Sequence, residues 1–549
     1  MITSKLLKDP IYGYVNIESY LVTNIIDTSC FQRLRNIRQT SYAPLYSASM
    51  HNRFIHSIGV YHLGEIAFKA FKESVIEKFP NIIAIKQWSM LKKYFLLACL
   101  LHDVGHAPFS HSGEDFFLNE KGQGDKGIAI YEMLLKFVNV DTFTKDVIDF
   151  YHIGKEVAAP HEIMSVVVSI RNFKKYFNNH KYRDFFARCI TGYKYRDLHN
   201  DDELSVKNCL ISLLNSTVID VDRLDYIIRD SFMTGFQSVS IDYCRLLNSL
   251  TMVEMRGQKV LAFNKSALSV IENIVYAHDS ERKWIQNHPV VIYENFLIQH
   301  AIRKVDKYFN KENKKNKLFS YQSLSDAGND FKQGGKIRLL SDEDIIFNIK
   351  NVCEDELTKE YFCRASRRHP IWKSEAEYVT LFDKKLGDDS LDQLELTFLE
   401  IEKFLVDNFA KPVINHETIK QCEDEYKRLE EIGDQISTKD KESRKRGLDN
   451  IMKWFNILLK FSDENGILFD YVVISAKKFQ SGFIKLNIDQ VLIDFPEYGK
   501  SKYIKDIINT LNAVRTREHF FFLFYKRTDK KIDANAFASN ICMELMSLI

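Results

Sequence analysis

The stretch WSMLKKYFLLACLLHDVGHAPFSH, Trp88–His111, decides the fold of this sequence. Up to Asp103 it contains no glycine or proline and is mostly apolar, which predicts a largely buried helix. His102 and Asp103 end that apolar run, and a buried charge is costly unless something compensates it. A divalent metal ion would compensate it, whereas the simpler alternative is a histidine that interacts with the last carbonyls of the helix. We interpret the doublet as part of a metal site.

The other ligands of such a site have to come from distant parts of the sequence. His56 lies in HNRFIHSIGV, and Asp222 lies in IDVDRLDYIIRD. At about 100° per residue, Asp222, Tyr226 and Asp230 share one face of a helix. Such a polar row, taken alone, is more often a solvated face. Imidazole and carboxylate ligands together suit iron, manganese, zinc, cobalt or nickel, so these residues are candidates for a transition-metal site.

The composition is that of a globular, mainly helical protein. The 549 residues are 45% hydrophobic and 27% charged, and only 9 are proline and 21 glycine. The formal net charge is +2, so no global basic field exists that would hold nucleic acid non-specifically. None of the 9 cysteines forms a C-x-x-C pair, which argues against a zinc ribbon or a redox motif and suits a reducing cytosol.

No segment predicts secretion or membrane insertion. The longest apolar runs, Tyr94–Leu101 and Phe520–Tyr525, are far shorter than the ~20 residues that a membrane-spanning helix needs. The first residues, MITSKLLKDPIYGY, contain no long apolar segment of the kind found in a signal peptide. These observations predict a cytoplasmic protein without a membrane partner.

Two lysine-rich runs stand out from the otherwise balanced charge. Asn310–Lys317 predicts a loop or surface excursion, and Lys439–Arg446 predicts a charged connector. Both runs are most simply solvated, and the alternative is weak local binding of single-stranded nucleic acid.

The chain divides into a helical part and a mixed part. Helical patterns continue to about residue 305 and return at Glu395–Phe409 and Glu417–Ile432. The segments with the composition of strands are Tyr471–Ser475, Phe483–Ile488 and His519–Tyr525. We therefore predict a mainly α fold, with a helical catalytic core at 1–305 and a smaller mixed α+β C-terminal lobe at 306–549.

Five segments, taken in order, resemble one known family. They are DPIYGYVNI (9–17), IIDTSCFQRLRNIRQ (25–39), HNRFIHSIGV (51–60), HDVGHAPFSH (102–111) and IDVDRLDYIIRD (219–230). The sequence is similar to the HD-domain phosphohydrolases and, within them, to the SAMHD1-like and bacterial dGTPase-like dNTP triphosphohydrolases. The resemblance extends over about residues 8–300 and is weaker towards the end. It implies an HD-domain helical phosphohydrolase core.

The resemblance also implies a metal and a catalytic set. The implied ligands of a divalent manganese, iron, magnesium, cobalt, nickel or zinc ion are His56, His102, Asp103 and Asp222. His111 would be the general acid, Glu114 would orient it, and His161 would be a third catalytic residue facing the phosphates. The interval between His102 and His161 is long for this family, which predicts an insertion around 120–155 and makes His152 a rival of His161.

The implied substrate-binding residues are Gln39, Arg53, His106, Arg223, Tyr226 and Asp230. The guanidinium of Arg53 suits a triphosphate, and its alternative role is a structural salt bridge. Gln39 matches a glutamine that contacts the sugar 3′-hydroxyl. Tyr226 and Asp230 match residues of the phosphate and sugar pocket.

Besides Thr40, which stands in place of a leucine, and Arg223, which replaces a lysine, two positions depart from the family pattern. His278 stands where the animal enzyme has an arginine that contacts the triphosphate, and Gln286 stands where it has a tyrosine packed on the sugar. Arg282 or Lys283 are alternative sources of the missing cation. The hydrolytic centre is therefore better specified by the sequence than the nucleotide preference.

A possible effector site lies near the N-terminus. Asp27, Gln32 and Arg35 match the guanine-nucleotide allosteric site of the animal enzyme, and Lys5 is a further candidate. The alternative is a helix surface with ordinary polar contacts. If the site binds GTP or a dNTP, nucleotide binding is expected to bias assembly of a homo-oligomer, either a dimer or a tetramer.

The function implied by the resemblance is hydrolysis of a dNTP to a deoxynucleoside and triphosphate, used in control of the dNTP pool or in antiphage defence. One alternative is an HD phosphohydrolase that acts on another phosphoester, such as a cyclic or modified nucleotide or single-stranded nucleic acid. A second alternative is a regulatory protein that senses nucleotides, with the metal site secondary.

Overall fold

The structure is a computed structural model. The residues it describes are 4–117, 128–152, 158–198, 201–216, 219–236, 240–311, 340–382, 386, 388–431, 438–477, 491–504, 507, 519–527 and 530–548. These residues are mainly helical, which confirms the predicted fold class.

The helices up to the middle of the chain are α1 (Arg53–Lys78), α2 (Ile85–Leu101), α3 (His111–Phe117), α4 (Ile128–Val138), α5 (Asp141–His152), α6 (Pro160–Asn172), α7 (His180–Thr191), α8 (Asp202–Leu214), α9 (Val221–Thr234), α10 (Tyr243–Asn248), α11 (Leu268–Glu281) and α12 (Pro289–Lys311). The later helices are α13 (Asp342–Val352), α14 (Glu356–Phe362), α15 (Glu375–Phe382), α16 (Asp388–Asn408), α17 (His416–Glu431), α18 (Thr438–Asn465) and α19 (Ala534–Leu548).

The strands are β1 (Ser4–Asp9), β2 (Gly13–Glu18), β3 (Leu250–Met255), β4 (Gln258–Asn264), β5 (His369–Pro370), β6 (Tyr471–Lys477), β7 (Leu492–Phe495), β8 (Lys500–Tyr503) and β9 (His519–Tyr525). They form an antiparallel hairpin β1-β2, a four-stranded sheet in the order β3-β4-β7-β8, and a three-stranded sheet in the order β5-β9-β6. Two of the three predicted strands are therefore strands in the structure, and the third, Phe483–Ile488, lies outside the described residues.

The chain packs into two compact units, each drawn from three segments. The first unit contains residues 1–282, 305–352 and 480–514, and the second contains 283–304, 353–479 and 515–549. This division concerns packing alone, so the predicted catalytic core at 1–305 and C-terminal lobe at 306–549 stay a proposal.

The second unit has an aromatic core around the central strand β9. All residues of this strand from Phe520 to Tyr525 are buried, since helices and neighbouring strands cover both of its faces. Phe521 stacks on Phe398 with ring centroids 4.1 Å apart, and its carbonyl accepts a hydrogen bond from the indole N–H of Trp372 at 2.9 Å. The indole is thus fully buried with its one donor satisfied.

In the first unit, three helix ends carry the predicted motifs. Helix α2 is buried throughout Tyr94–Leu101, as its uninterrupted apolar sequence predicts, and ends just before His102. Helix α1 begins after Asn52, whose side chain accepts a hydrogen bond from the Ile55 amide at 3.2 Å. The cap of α9 is Asp220, which accepts from the Arg223 amide at 2.7 Å. These caps set where each motif begins.

One predicted connector is wrong. Lys439–Arg446 lies inside α18, because Lys, Glu and Arg are good helix formers and no proline interrupts them. Lys445 also forms an ion pair with Glu430 of α17 at 3.1 Å. The other lysine-rich run, Asn310–Lys317, begins in the last residues of α12 and otherwise lies outside the described residues. Among the described residues, the structure contains no helix that is both long and apolar enough to span a membrane.

Candidate metal centre and active site

Four side chains from α1, α9 and the end of α2 meet in the first unit. His56 Nε2 lies 2.8 Å from Asp222 Oδ1 and 3.2 Å from His102 Nε2. His102 Nε2 lies 3.5 Å from Asp103 Oδ1 and 3.4 Å from Asp222 Oδ1. The structure thus brings His56, His102 and Asp103 together as a possible metal-binding group and places Asp222 within 3.4 Å of both imidazoles.

The second nitrogen of each imidazole has a partner that determines its protonation. His102 Nδ1 lies 2.9 Å from the Cys99 carbonyl, which can only accept, so this nitrogen carries the proton. His56 Nδ1 faces the Asp225 carboxylate at 2.7 Å and is a donor for the same reason. Both Nε2 atoms are therefore free to coordinate. They face each other at 3.2 Å, where either a proton on one of them or a bound metal ion offsets the repulsion between two lone pairs.

The charges around this cluster fit a divalent cation. Burial lowers the pKa of His56, but hydrogen bonds to Asp222 and Asp225 outweigh it and raise that pKa to about 10. Burial raises the pKa of Asp103, but the charges of Arg53, His102 and His56 hold it at about 2. The carboxylates therefore stabilise positive charge at the imidazoles. Two imidazole nitrogens and two carboxylates are a suitable donor set for a divalent first-row metal.

Asp225 and Arg229 are functional candidates that the sequence reasoning missed. Asp225 is fully buried and receives two hydrogen bonds from the Arg229 guanidinium, at 2.8 and 2.9 Å. Arg229 also donates to Asp9, at the end of β1, at 3.0 Å. The sequence did contain a sign of this pair, because two opposite charges lie four residues apart on the apolar side of α9. The carboxylate fixes the ring of His56, as outer carboxylates commonly do for metal-binding histidines.

Replacing Asp225 by asparagine is expected to weaken metal binding roughly 10–100-fold, because the His56 ring loses the carboxylate that orients its Nδ1–H. Metal titration of the purified protein, with the bound ion counted by mass spectrometry, measures this. The matched control is Asp242→Asn, since Asp242 only caps α10 through the Arg245 amide. Equal metal affinity in the two variants would contradict the assignment.

A second cluster of titratable groups lies beside the first. His106 Nδ1, His111 Nδ1 and His161 Nδ1 lie 3.2, 3.3 and 2.9 Å from the same atom, Glu114 Oε1. The rings of His106 and His161 are stacked with centroids 4.2 Å apart, whereas the His111 side chain is 66% exposed. All three predicted catalytic residues, with the predicted phosphate residue His106, are therefore together.

The electrostatics assign different protonation states within this cluster. Burial lowers the pKa of His161, but the charge of Glu114 outweighs it and raises that pKa to about 9. Burial and the charge of Arg53 hold the pKa of His106 well below its usual range. At neutral pH, His161 is therefore cationic and His106 is neutral. Burial raises the pKa of Glu114, but His161 and His111 outweigh it and hold that carboxyl ionised.

Arg53 connects the two clusters. Its Nη1 donates to Asp103 Oδ2 at 2.8 Å, and its Nε donates to Ser110 Oγ at 2.9 Å. One guanidinium thus touches a predicted metal ligand and the turn that precedes His111. Arg53 can form this salt bridge and also bind phosphate. Two of the five N–H groups of its guanidinium make the contacts above, and three remain for other contacts.

Gly105 sets how closely the motif turn approaches α6, which carries His161. A Cβ at this position would lie 2.3 Å from the Met164 carbonyl carbon and 2.3 Å from the Ser165 nitrogen. The Gly105 amide also donates to Ser165 Oγ at 2.9 Å. Only glycine allows this backbone contact between the two motifs.

The variant Gly105→Ala is expected to lose roughly 1–3 kcal/mol of unfolding free energy, because backbone must move to admit the methyl group. Urea unfolding followed by circular dichroism measures the change. The control is Gly447→Ala in α18, where a Cβ meets nothing within 4 Å and a gain of roughly 0.5–1 kcal/mol is expected. If both variants were equally stable, the close-packing argument would be wrong.

The remaining predicted substrate residues line α9 and the loop before α1. Asp230 Oδ1 lies 2.6 Å from His51 Nε2, and both side chains are buried. Gln39 is buried, and no other residue that the structure describes donates a hydrogen bond to its Oε1. Arg223 hydrogen-bonds Tyr226, and burial raises the tyrosine pKa well above its usual range. Their substrate roles stay predictions.

The positions that depart from the family pattern lie at the end of α11 and just after it. His278 is buried, and burial together with the charges of Arg223 and Arg282 lowers its pKa. A neutral imidazole therefore stands where the family has a cation. Gln286 closes a π-helical turn, Arg282–Gln286. The predicted insertion contains α4 and α5, and the side chain of His152 lies outside the described residues.

Lys5 lies in β1, and the other three predicted effector residues follow β2: Asp27 is in the turn after the π-helical segment Val22–Ile26, Gln32 ends the short helix Ser29–Gln32, and Arg35 is in the 3-10 turn Arg33–Asn36. Lys5 and Asp27 form an exposed ion pair at 3.7 Å. Arg35 donates to Gln32 at 2.8 Å and stacks over the Phe54 ring at 3.6 Å. Polar contacts among these residues are thus present without a nucleotide, and the effector site stays a prediction.

The geometry above agrees with comparisons to known proteins. A family model described as HD domain matches residues 53–177, which include α1, α2 and the motif turn. The structure is similar to that of a phosphohydrolase from Bacteroides thetaiotaomicron, with a TM-score of 0.53, 16% identity, and coverage of 95% of this chain and 100% of the other. That likeness concerns the fold. Residues 53–177 thus match an HD domain, within a fold that is shared with that phosphohydrolase.

The chain is also similar in sequence to several curated proteins. The protein named deoxynucleoside triphosphate triphosphohydrolase SAMHD1 from Danio rerio is 26% identical over 325 residues, 58% of this chain and 48% of the relative. Its namesake from Xenopus laevis is 26% identical over 404 residues, 71% and 58%. An uncharacterized protein from Mycoplasma genitalium is 29% identical over 271 residues, 49% and 52%.

The chain thus matches about half the length of the first of these relatives. The HD-domain match and these relatives confirm the resemblance noted in the sequence.

Proposed function

We propose that this protein hydrolyses deoxynucleoside triphosphates to a deoxynucleoside and inorganic triphosphate. The observation that supports this most is the juxtaposition of two clusters: a His/Asp set suited to a divalent metal, and a Glu114-centred set with one cationic and one solvent-exposed histidine. A phosphoester with a poor leaving group needs both electrostatic activation of phosphorus and protonation of the leaving oxygen.

The chain's own residues divide the chemistry between them. A divalent ion held by His56, His102, Asp103 and Asp222 would supply Lewis-acid polarisation of the phosphate and activation of water. Water adds to the α-phosphorus as the bond to the 5′-oxygen breaks. His111, oriented by Glu114, donates the proton that this oxygen needs to leave as the deoxynucleoside. Cationic His161 stabilises the charge that develops on the phosphate.

Other residues of the first unit bind and orient the substrate. Arg53, His106 and Arg223 face the phosphates, with the guanidinium groups suited to a triphosphate. Gln39 has an unpartnered buried oxygen that could accept a hydrogen bond from the 3′-hydroxyl. Asp230 is held by His51, and Tyr226 completes the sugar pocket.

Regulation and biological role extend the same proposal. Lys5, Asp27, Gln32 and Arg35 would bind GTP or a dNTP as effector, and a homo-oligomer, a dimer or tetramer, would carry that effect between copies. The role would be control of the dNTP pool or antiphage defence in the cytoplasm.

One observation favours a second function. The neutral His278 stands where the family places a triphosphate-binding arginine, which weakens the case for a triphosphate and favours an HD hydrolase of another phosphoester, such as a cyclic or modified nucleotide or single-stranded nucleic acid. A nucleotide-sensing regulatory protein is the non-enzymatic alternative.

Product analysis tests the proposal. Purified protein loaded with Mn²⁺, Fe²⁺, Co²⁺ or Mg²⁺ is mixed with each dNTP and NTP, alone and in pairs, and the products are separated by chromatography. His102→Ala is the blank. Deoxynucleoside plus triphosphate, absent from the blank, supports the proposal, and a requirement for a second nucleotide supports the effector site. No turnover under any pairing would rule out the simple dNTPase and favour another phosphoester.

A further inference from the structure

Residues 340–342 lie far along the chain from the catalytic motifs, yet they contact two segments of the active site. The buried carboxylate of Asp342 accepts a hydrogen bond from the Phe109 amide at 2.7 Å through Oδ1. Its Oδ2 accepts from the Arg38 amide at 3.0 Å. One side chain therefore bridges the turn that precedes His111 and the segment that precedes Gln39.

The turn that Asp342 holds has an unfavourable backbone. Phe109 and Ser110 have φ values of 61° and 52°, in the left-handed region that non-glycine residues avoid. Two such residues in succession persist only when the surrounding structure holds them, and strain of this kind is concentrated at functional sites. The Asp342 carboxylate supplies one of those restraints directly at the Phe109 amide.

Arg33 forms a second link between the same segments. Its Nε donates to the Leu340 carbonyl at 2.5 Å, and its Nη2 donates to the His106 carbonyl at 2.5 Å. Its Nη1 donates to the Val104 carbonyl at 3.3 Å. The guanidinium is 3% exposed, so these three backbone carbonyls are its protein partners in a site closed to water. Residues 340–342 are thus joined to both ends of the turn.

The other side of the bridge is restrained as well. The Arg38 carbonyl accepts from Ser110 Oγ at 2.6 Å, and the Gln39 amide donates to the His51 carbonyl at 3.0 Å. The Arg38 backbone is therefore held at its amide by Asp342 and at its carbonyl by the strained turn. Movement of either segment changes the distance between the candidate sugar contact, Gln39, and the candidate acid, His111.

We propose that Asp342 is a positioning residue that sets the separation of the Gln39 segment from the His111 turn, so that the sugar and the leaving 5′-oxygen are aligned together. This inference rests on the proposed function for the roles of Gln39 and His111. The bridge that the Asp342 carboxylate forms between two backbone amides does not depend on which phosphoester is cleaved.

The test compares Asp342→Asn with Asp344→Asn. The first variant keeps the size of the side chain but turns one acceptor oxygen into an NH2 group that opposes a backbone N–H. The second replaces a carboxylate of the same helix whose hydrogen bonds to described residues come from the Ser341 amide and hydroxyl, at 2.7 and 3.0 Å. The kinetic quantities are kcat/KM for a dNTP and the ratio of that value to the one for the 2′,3′-dideoxy analogue. Hydrogen exchange of the Arg38 and Phe109 amides, bound metal and the free energy of unfolding are measured on the same variants.

In Asp342→Asn, we expect faster exchange at both amides, a fall in kcat/KM of about 10²-fold, and loss of discrimination against the dideoxy analogue. Bound metal should be unchanged, and Asp344→Asn should behave as wild type. A merely structural role would lower stability without changing the discrimination ratio. Wild-type kcat/KM and discrimination in Asp342→Asn would overturn the inference.

The failure of the proposed function gives a different pattern. If wild-type protein turns over no dNTP, the proposed function fails. Amide hydrogen exchange and the affinity for inorganic triphosphate then test the positioning role of Asp342. Faster exchange at both amides with weaker triphosphate binding in Asp342→Asn alone would then support it. Unchanged exchange or unchanged binding would overturn it.

Discussion

His102→Ala is expected to lose its bound metal and to lower kcat at least about 10³-fold. Lewis-acid stabilisation is worth several kcal/mol, and about 4 kcal/mol corresponds to that factor. His102 is preferred to Asp103 for this test because Asp103 also pairs with buried Arg53, whose charge would otherwise be left uncompensated. Metal content by mass spectrometry and turnover of the substrate found by product analysis give the two values.

The control for this experiment is His180→Ala, which removes an imidazole of α7 that contacts Arg183 away from both clusters. It should retain metal and activity. A chelator should also lower the melting temperature of wild type and of His180→Ala, but not of His102→Ala, because a ligand stabilises only a state that binds it. A His102→Ala protein that kept its metal and activity would exclude this residue as a ligand.

Glu114→Gln is expected to lower kcat by roughly 10²–10⁴-fold, the range of general acid catalysis. The carboxylate holds three histidine nitrogens, and its removal takes away the charge that raises the pKa of His161 to about 9. Burial, which lowers that pKa, is then opposed only by the weaker charges of Glu162 and Asp103, so the pKa falls from about 9. Metal content should be unchanged, since Glu114 belongs to the second cluster.

The pH dependence follows from the same shift. His161 has to be protonated to stabilise the phosphate, so wild-type activity should fall as pH rises through about 9. In Glu114→Gln, the same fall should occur at lower pH than in wild type. Glu132→Gln, on the exposed side of α4, is the matched control and should keep the wild-type profile. An alkaline limb that stayed in place in Glu114→Gln would separate His161 from the reaction.

Local sequence patterns predicted helices and strands well where burial of apolar side chains dominates. The uninterrupted apolar run of α2 and the aromatic run of β9 are buried as expected, because burial of such sequences is favourable in almost any surroundings. The connector predicted at Lys439–Arg446 failed for the opposite reason. A dense run of charges favours a loop, but the helix propensity of the same lysine, glutamate and arginine residues supports α18.

The sequence by itself determined the class of fold, the identity of the candidate ligands and the motif that carries the candidate acid, since residue types in a fixed order specify chemistry. Only the tertiary structure revealed the residues that orient them. His56 and Asp225 are 169 positions apart, His51 and Asp230 are 179 apart, and Phe109 and Asp342 are 233 apart. An aspartate has no local pattern that distinguishes a helix surface from a buried partner. Its role depends on which distant donors the packed chain brings to it, because a buried carboxylate is stable only when those donors surround it.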